Sequence, residues 1–282
     1  MTFSDPNAAQ LGIRAADFSD LRRGAATTDS RFDHGRADVL GVKVSAVDMK
    51  LSLDLADRWI AAGEPGYICV TGVHGVMEAQ KDSGLRRVLN DAAINLPDGM
   101  PMTWLGRLQG FKRMDRVFGP DFMAAMCQVS VERGYRVFLY GGKQGVAQLL
   151  GEILQRKFSG LQVVGTYTPP FRPLSFEEEA SLFEQVAEAK PHIVWVGLST
   201  PKQERFMAQY AHRLNVPLLV GVGAAFDYHI GAIRDCSGWI KRAGLQWLHR
   251  LMQDPKRLWR RYLRNNPAFI WRVTCQLMGL RE

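Results

Sequence analysis

Six short apolar runs punctuate the chain, at residues 67–71, 94–96, 136–140, 161–165, 193–198 and 218–222. Between them lie longer stretches whose apolar residues return every three or four positions, at 76–92, 122–133, 146–158, 177–189 and 202–214. Short runs bounded by Gly or Pro read as strands, and the longer periodic stretches as amphipathic helices. Their strict alternation predicts βαβ crossovers and an α/β domain built on a mostly parallel sheet. Such sheets bind ligands beyond the carboxyl ends of their strands. The loops to inspect therefore begin at Thr71, Asp98, Gly141, Ser199 and Gly223.

The pattern changes near residue 241. After Gly244, Leu245, Leu248, Leu251 and Met252 form one helical series, which stops at Asp254-Pro255. Asp as N-cap and Pro at the first helical position open a second helix carrying Leu258, Trp259, Tyr262 and Leu263. Asn266-Pro267 repeats that signal ahead of Phe269, Ile270, Trp271 and Val273, predicting a third. Residues 1–38 mix Ala, Asp, Arg and Ser with little apolar periodicity and read as a mobile extension. The predicted organisation is thus an extension over 1–38, an α/β core over 39–240 and a helical appendage over 241–282.

Charge sharpens this division. The chain carries a net +8, and between residues 241 and 272 Lys241, Arg242, Arg250, Lys256, Arg257, Arg260, Arg261, Arg264 and Arg272 face only Asp254. All the excess sits there. Cationic amphipathic helices flanked by Trp and Tyr suit an anionic membrane surface. A helical cap with solvated arginines explains the same residues. Uncovered apolar surface near the appendage would also suit a homo-oligomer.

Composition narrows the function classes. The 282 residues suit one large domain or two small ones. Cys69, Cys127, Cys236 and Cys275 lie far apart without a CxxC pair, and read as buried thiols of a reducing compartment. The six histidines show no HExxH spacing, so no metal site is expected. There is no signal-peptide pattern and no apolar stretch of the ~20 residues that span a bilayer, which predicts a cytoplasmic address.

Each strand-end loop admits a plain reading and a chemical one. Pro97-Asp98-Gly99 is a common turn, but a carboxylate at a strand's carboxyl end also faces a substrate crevice. Gly141-Gly142 with Gly145 either makes a tight strand-to-helix turn or lets a phosphate approach free N–H groups. Ser199 and Thr200 suit a helix cap, whereas Lys202 and Gln203 offer donors to a sugar or phosphate. Asp227 caps a turn or binds a hydroxyl. His74 is a structural hydrogen-bonding residue or a ligand donor.

Taken in order, these loops are more specific than any one alone. Pro97-Asp98-Gly99-Met100, Arg116 to Asp121, Val137 to Gly142, Val196 to Glu204, Gly221 to Asp227 and Gly244 to Leu251 together resemble the WecG/TagA/CpsF glycosyltransferases, glycosyltransferase family 26. The likeness covers about residues 40 to 262. It implies a Rossmann-like parallel sheet flanked by helices, with a C-terminal amphipathic helical appendage. It further implies an inverting, metal-independent enzyme that needs no cofactor. Its donor would be a UDP-sugar and its acceptor a polyprenyl-diphosphate-linked glycan, used in surface polysaccharide or exopolysaccharide synthesis. The enzyme would sit peripherally on the inner face of the plasma membrane and bind no nucleic acid.

By the same resemblance Asp98 is the general base, and Thr71, Arg116, Gln203 and Asp227 belong to the substrate pocket. Arg250, Arg257 and Arg260 would close over the donor diphosphate. Gly141 and Gly142 fit beside that phosphate. Two departures fall near the pocket: Thr71-Gly-Val-His74 replaces the frequent Thr-x-Asn, and Thr168-Pro-Pro-Phe171 replaces Gly-Tyr-Phe. His74 would then take over a polar contact. N-acetylmannosamine, its uronic acid, glucose and glucuronic acid remain as candidate donor sugars. A nucleotide-binding oxidoreductase would need a fuller glycine fingerprint than this chain has. A non-enzymatic membrane or nucleic-acid binder explains the basic tail but not Asp98, Gln203 and Asp227 at strand ends.

Overall fold

The computed structural model describes residues 34–280. Strands β3 (Gly66–Thr71), β4 (Ile94–Pro97), β5 (Arg136–Gly141), β6 (Gln162–Tyr167), β7 (Ile193–Gly197) and β8 (Leu218–Gly221) form one parallel sheet in the order β4-β3-β8-β7-β5-β6. Successive side chains along a strand point to opposite faces, and both faces here are covered. Val137 and Leu139 of β5 and Ile193 and Trp195 of β7 join one core, while Phe138, Tyr140, Val194 and Val196 join the other. Burial on both sides explains why these strands are continuous apolar runs without polar alternation.

On the Trp195 side lie α1 (Met49–Ala62), α5 (Gly119–Arg133), α6 (Val146–Lys157) and the short α9 (Ala225–His229). On the Tyr140 side lie α2 (Val73–Ala79), α3 (Ser83–Asp91), α4 (Met100–Leu108), α7 (Phe176–Ala189) and α8 (Lys202–Leu214). The appendage comprises α10 (Gly238–Arg242), α11 (Gln246–Gln253) and α12 (Pro255–Leu277). The Rossmann-like α/β architecture with a C-terminal helical appendage is therefore the observed one. The connection leaving β5 runs to one side of the sheet and that leaving β7 to the other. Their carboxyl ends thus form a topological switch point, where a crevice opens.

Several expectations are corrected. The single helix expected over 76–92 is two, because Asp82 caps a new start by accepting from the Leu85 N–H at 3.0 Å. Strand β6 reaches Tyr167, beyond the expected end at 165. A hairpin of β1 (Arg36–Val39) and β2 (Val42–Ser45) was not expected, nor were α1 and α4. The hairpin covers the β4 edge through Asn95, whose N–H donates to Ser45 Oγ and whose amide donates to the Lys43 carbonyl. Residues 36–38 are therefore strand, and residues 1–33 of the predicted extension lie outside the described residues. The boundary placed at 240 falls inside α10. Cys236 is only half-buried, unlike the other three thiols.

The appendage also differs from expectation. Its predicted second and third helices are one, running through Asn266-Pro267. Pro267 has no N–H for the Leu263 carbonyl four positions back, normally a helix break. Burial of Leu258 and Asn265 before it, and of Phe269 and Val273 after it, holds both halves on one axis. The helix is anchored at its far end by Gln276, which donates to the Asp38 carbonyl and accepts from the Leu40 N–H.

Candidate active site

A cleft of about 1500 Å³ opens at the carboxyl ends of the strands, walled on its outer side by α11 and α12. Asp98 lies on it, immediately after β4. Its N–H donates to the Thr71 carbonyl at 2.9 Å, which ties the loop after β4 to the end of β3. The approach is close: a Cβ on Gly72 would meet the Asp98 carbonyl oxygen at 2.9 Å, so only glycine fits there. Burial pushes the Asp98 carboxyl above the ordinary carboxylate range. The charges of Arg116 and Arg250 pull it back down, and Asp121 pushes it further up.

Those two arginines hold the appendage against the core. Arg116 donates to Gln246 Oε1 of α11 and stacks over the Phe118 ring at 4.5 Å. Arg250 of α11 donates to the Tyr228 hydroxyl at 3.2 Å, with its guanidinium 5.2 Å from that ring's centre. Charge-assisted bonds of this kind are stronger than neutral ones. They bring two cations from distant parts of the chain toward one carboxylate.

Most of the expected site residues meet here. Asp98, His74, Arg116, Gly142, Gln203, Asp227, Arg250 and Arg257 all line the cleft. Three do not. Thr71 lies beneath it, with a buried hydroxyl lacking a partner among the described residues. Gly141 is a packing glycine, since at φ 124° a Cβ would strike the Gly197 carbonyl oxygen at 2.6 Å. Arg260 is exposed, with its guanidinium over the Trp259 ring at 5.3 Å. Helical spacing explains the last correction. Arg257 and Arg261, one turn apart, flank the buried stripe of Leu258, Asn265 and Phe269, whereas Arg260 and Arg264 point elsewhere. Arg261 therefore lines the cleft in place of Arg260. Arg261 stands three positions after Leu258 and eight before Phe269, so helical spacing from those two apolar residues would have found it.

Lys143, Tyr228 and Gln246 also line the cleft and were not singled out from sequence. Lys143 and Gly142 precede the N-terminus of α6, where unpaired N–H groups favour an anion. Among the described residues no group of three or more His, Cys, Asp or Glu is placed to hold a metal ion.

His74 has a defined role. Its Nδ1 accepts from the Asn265 amide of α12 at 3.1 Å, so it fastens the appendage to α2. Burial, aided by the charge of Arg261, lowers its pKa from 6.5 to about 4. The ring is thus neutral at neutral pH. Because the folded value is the lower one, the unfolded chain binds the proton first on acidification, and stability falls between pH 6.5 and 4. The melting temperature of the protein should therefore drop more from pH 7 to pH 5 than that of His74→Asn. Equal drops would remove His74 from the latch.

Two curated relatives are named N-acetylglucosaminyldiphosphoundecaprenol N-acetyl-beta-D-mannosaminyltransferase. One, from Bacillus subtilis (strain 168), is 29% identical over 185 residues, covering 66% of this chain and 70% of the relative. The other, from Bacillus spizizenii (strain ATCC 23059 / NRRL B-14472 / W23), is 29% identical over 186 residues, with the same coverage of 66% and 70%. The match to the family itself runs over residues 37–282, from the first hairpin strand to the end of the chain. With its cleft, its strand-end carboxylate and its arginine-bearing appendage, the chain belongs to the Glycosyl transferase WecG/TagA/CpsF family.

Proposed function

We propose that the protein transfers a sugar from a UDP-sugar to a polyprenyl-diphosphate-linked, N-acetylglucosamine-bearing acceptor, with inversion and without a metal ion. The observation that carries this reading is the placement of Asp98 on a cleft between core and appendage, under the fields of Arg116 and Arg250. Inversion is a single displacement. The acceptor hydroxyl attacks the anomeric carbon, Asp98 takes its proton, and the bond to UDP breaks on the opposite face. Negative charge grows on the departing diphosphate. Arg250, Arg257, Arg261 and Lys143 line the cleft and offer compensating charge without reorganisation. The acceptor class follows the names of the Bacillus relatives.

The enzyme works at the inner membrane surface. No described helix is long and apolar enough to cross a bilayer. Trp259, Leu263, Ile270 and Trp271 of α12 are nevertheless exposed, beside Lys256, Arg260 and Arg264. That combination suits shallow insertion among anionic headgroups. The double variant Trp259→Ser, Trp271→Ser, at exposed positions outside the cleft lining, should lose flotation with anionic vesicles yet keep transfer to a short-chain, detergent-free acceptor. Unchanged flotation would exclude α12 as the membrane face.

The function itself is tested by UDP release in EDTA from a panel of UDP-sugars, with and without a short polyprenyl-diphosphate-N-acetylglucosamine acceptor. Acceptor-dependent release is expected from one donor. Release that required an added divalent ion would overturn the metal-free mechanism, and no acceptor-dependent release across the panel would overturn the substrate assignment. The acid limb of kcat offers a further check. Arg116 lowers the Asp98 pKa, so Arg116→Gln should raise it and move the limb to higher pH. A limb that stayed in place would mean that another group titrates.

A further inference from the structure

The first turn of α8 holds a pair of buried polar side chains that the proposed chemistry leaves unused. Gln203 is 3% exposed and lines the cleft; Glu204, 1% exposed, lies behind it. Glu204 Oε1 accepts two hydrogen bonds, from Gln203 Nε2 at 3.0 Å and from Thr200 Oγ1 at 2.9 Å. Two buried oxygens remain without a partner among the described residues, Gln203 Oε1 and Glu204 Oε2. A buried carboxyl with one bare oxygen is less costly neutral than ionised. Burial pushes the Glu204 carboxyl in that direction, against the hydrogen bonds from Gln203 and Thr200.

An amide can turn over, exchanging its donor and acceptor ends at little steric cost. Here one end is fixed. The Nε2 group is committed to Glu204, so the carbonyl oxygen is left over. That oxygen lies 3.4 Å from where a Cβ on Gly223 would sit, at the cleft wall. The geometry points to Glu204 as a positioning residue that locks the Gln203 amide with its carbonyl oxygen toward the cleft, so that the site selects a ligand O–H or N–H there. An oriented acceptor matches a sugar hydroxyl or an acetamido N–H and rejects a ligand presenting only oxygen acceptors. This rests on the sugar-transfer reading above for the identity of the ligand, but not for the lock itself.

The test compares Glu204→Gln, which keeps an acceptor oxygen without the carboxyl, with Glu204→Leu, which removes it. The first readout needs no activity: exchange protection of the Gln203 side-chain amide by NMR, assigned by its loss in Gln203→Leu. Protection is expected in the wild type and Glu204→Gln and is lost in Glu204→Leu. The second is the split between KM and kcat for the UDP-sugar. Leaving a buried amide mispaired costs on the order of 10- to 100-fold in affinity, so Glu204→Leu should raise KM by about that factor while Glu204→Gln stays within about threefold of the wild type. Thr200→Val removes the second donor to Oε1 at a partly exposed position, so it guards against a misfolded leucine variant. It should raise KM a few-fold with kcat unchanged.

A wild-type KM in Glu204→Leu or in Thr200→Val would overturn the assignment. So would Glu204→Gln as impaired as Glu204→Leu, since carboxyl charge rather than amide orientation would then matter. A wild type that transfers no sugar but keeps its Gln203 amide protected supports the lock and counts against the transferase reading.

Discussion

Asp98→Asn is expected to lower kcat by about 10²- to 10⁴-fold, the usual contribution of a positioned general base, while leaving donor KM nearly unchanged. Asparagine keeps the size of the side chain and leaves the backbone link to Thr71 intact, but cannot take a proton. Burial already disfavours the ionised carboxylate, so the neutral replacement should melt no lower than the wild type. That separates lost chemistry from lost structure. Steady-state kinetics above the acid limb, with a melting curve on the same sample, decide the matter. Wild-type kcat in the variant would remove Asp98 from the mechanism.

Arg250→Gln should cost ~10²- to 10³-fold in kcat/KM, the range measured when a preorganised donor to a developing negative charge is deleted. Arg250 has two roles. It lines the cleft where the diphosphate would depart, and its bond to Tyr228 holds α11 on the core. Arg260→Gln is the matched control. It removes the same charge three positions beyond Arg257, on an exposed face away from the cleft, and should spare turnover of a soluble acceptor while weakening binding to anionic vesicles. Equal losses of turnover in both variants would show that total appendage charge matters rather than placement. A reversed order would return Arg260 to the diphosphate site.

The strands of the main sheet were legible because their signal is local. A strand buried on both faces is apolar along most of its length, and runs such as Ile193–Gly197 state this directly. The β1–β2 hairpin was not legible. Val39 and Val42 are buried, yet each strand has only four residues, and its place at the sheet edge depends on Asn95, some fifty positions later. Helix α1 was missed although Asp48 caps it and Gly63 ends it in the left-handed region, signals the sequence did carry. Pro267 misled in the other direction. A local break signal was overridden by the burial of Phe269 and Val273.

The candidate site divides along the same line. The sequence by itself determined the α/β class, the carboxylate and glutamine at strand ends, and the concentration of positive charge after residue 240, because each depends on residues close together in the chain. Only the tertiary structure decided which arginines face the cleft, that Thr71 and Gly141 lie outside its lining, and that His74 is neutral. The arginines and His74 depend on where the appendage docks, and the contact between Asn265 and His74 joins residues 191 positions apart, while Gly141 is set by its close approach to Gly197. Over such a separation the burial, field and hydrogen-bond partners of a side chain are set by packing of whole elements, which no local spacing encodes.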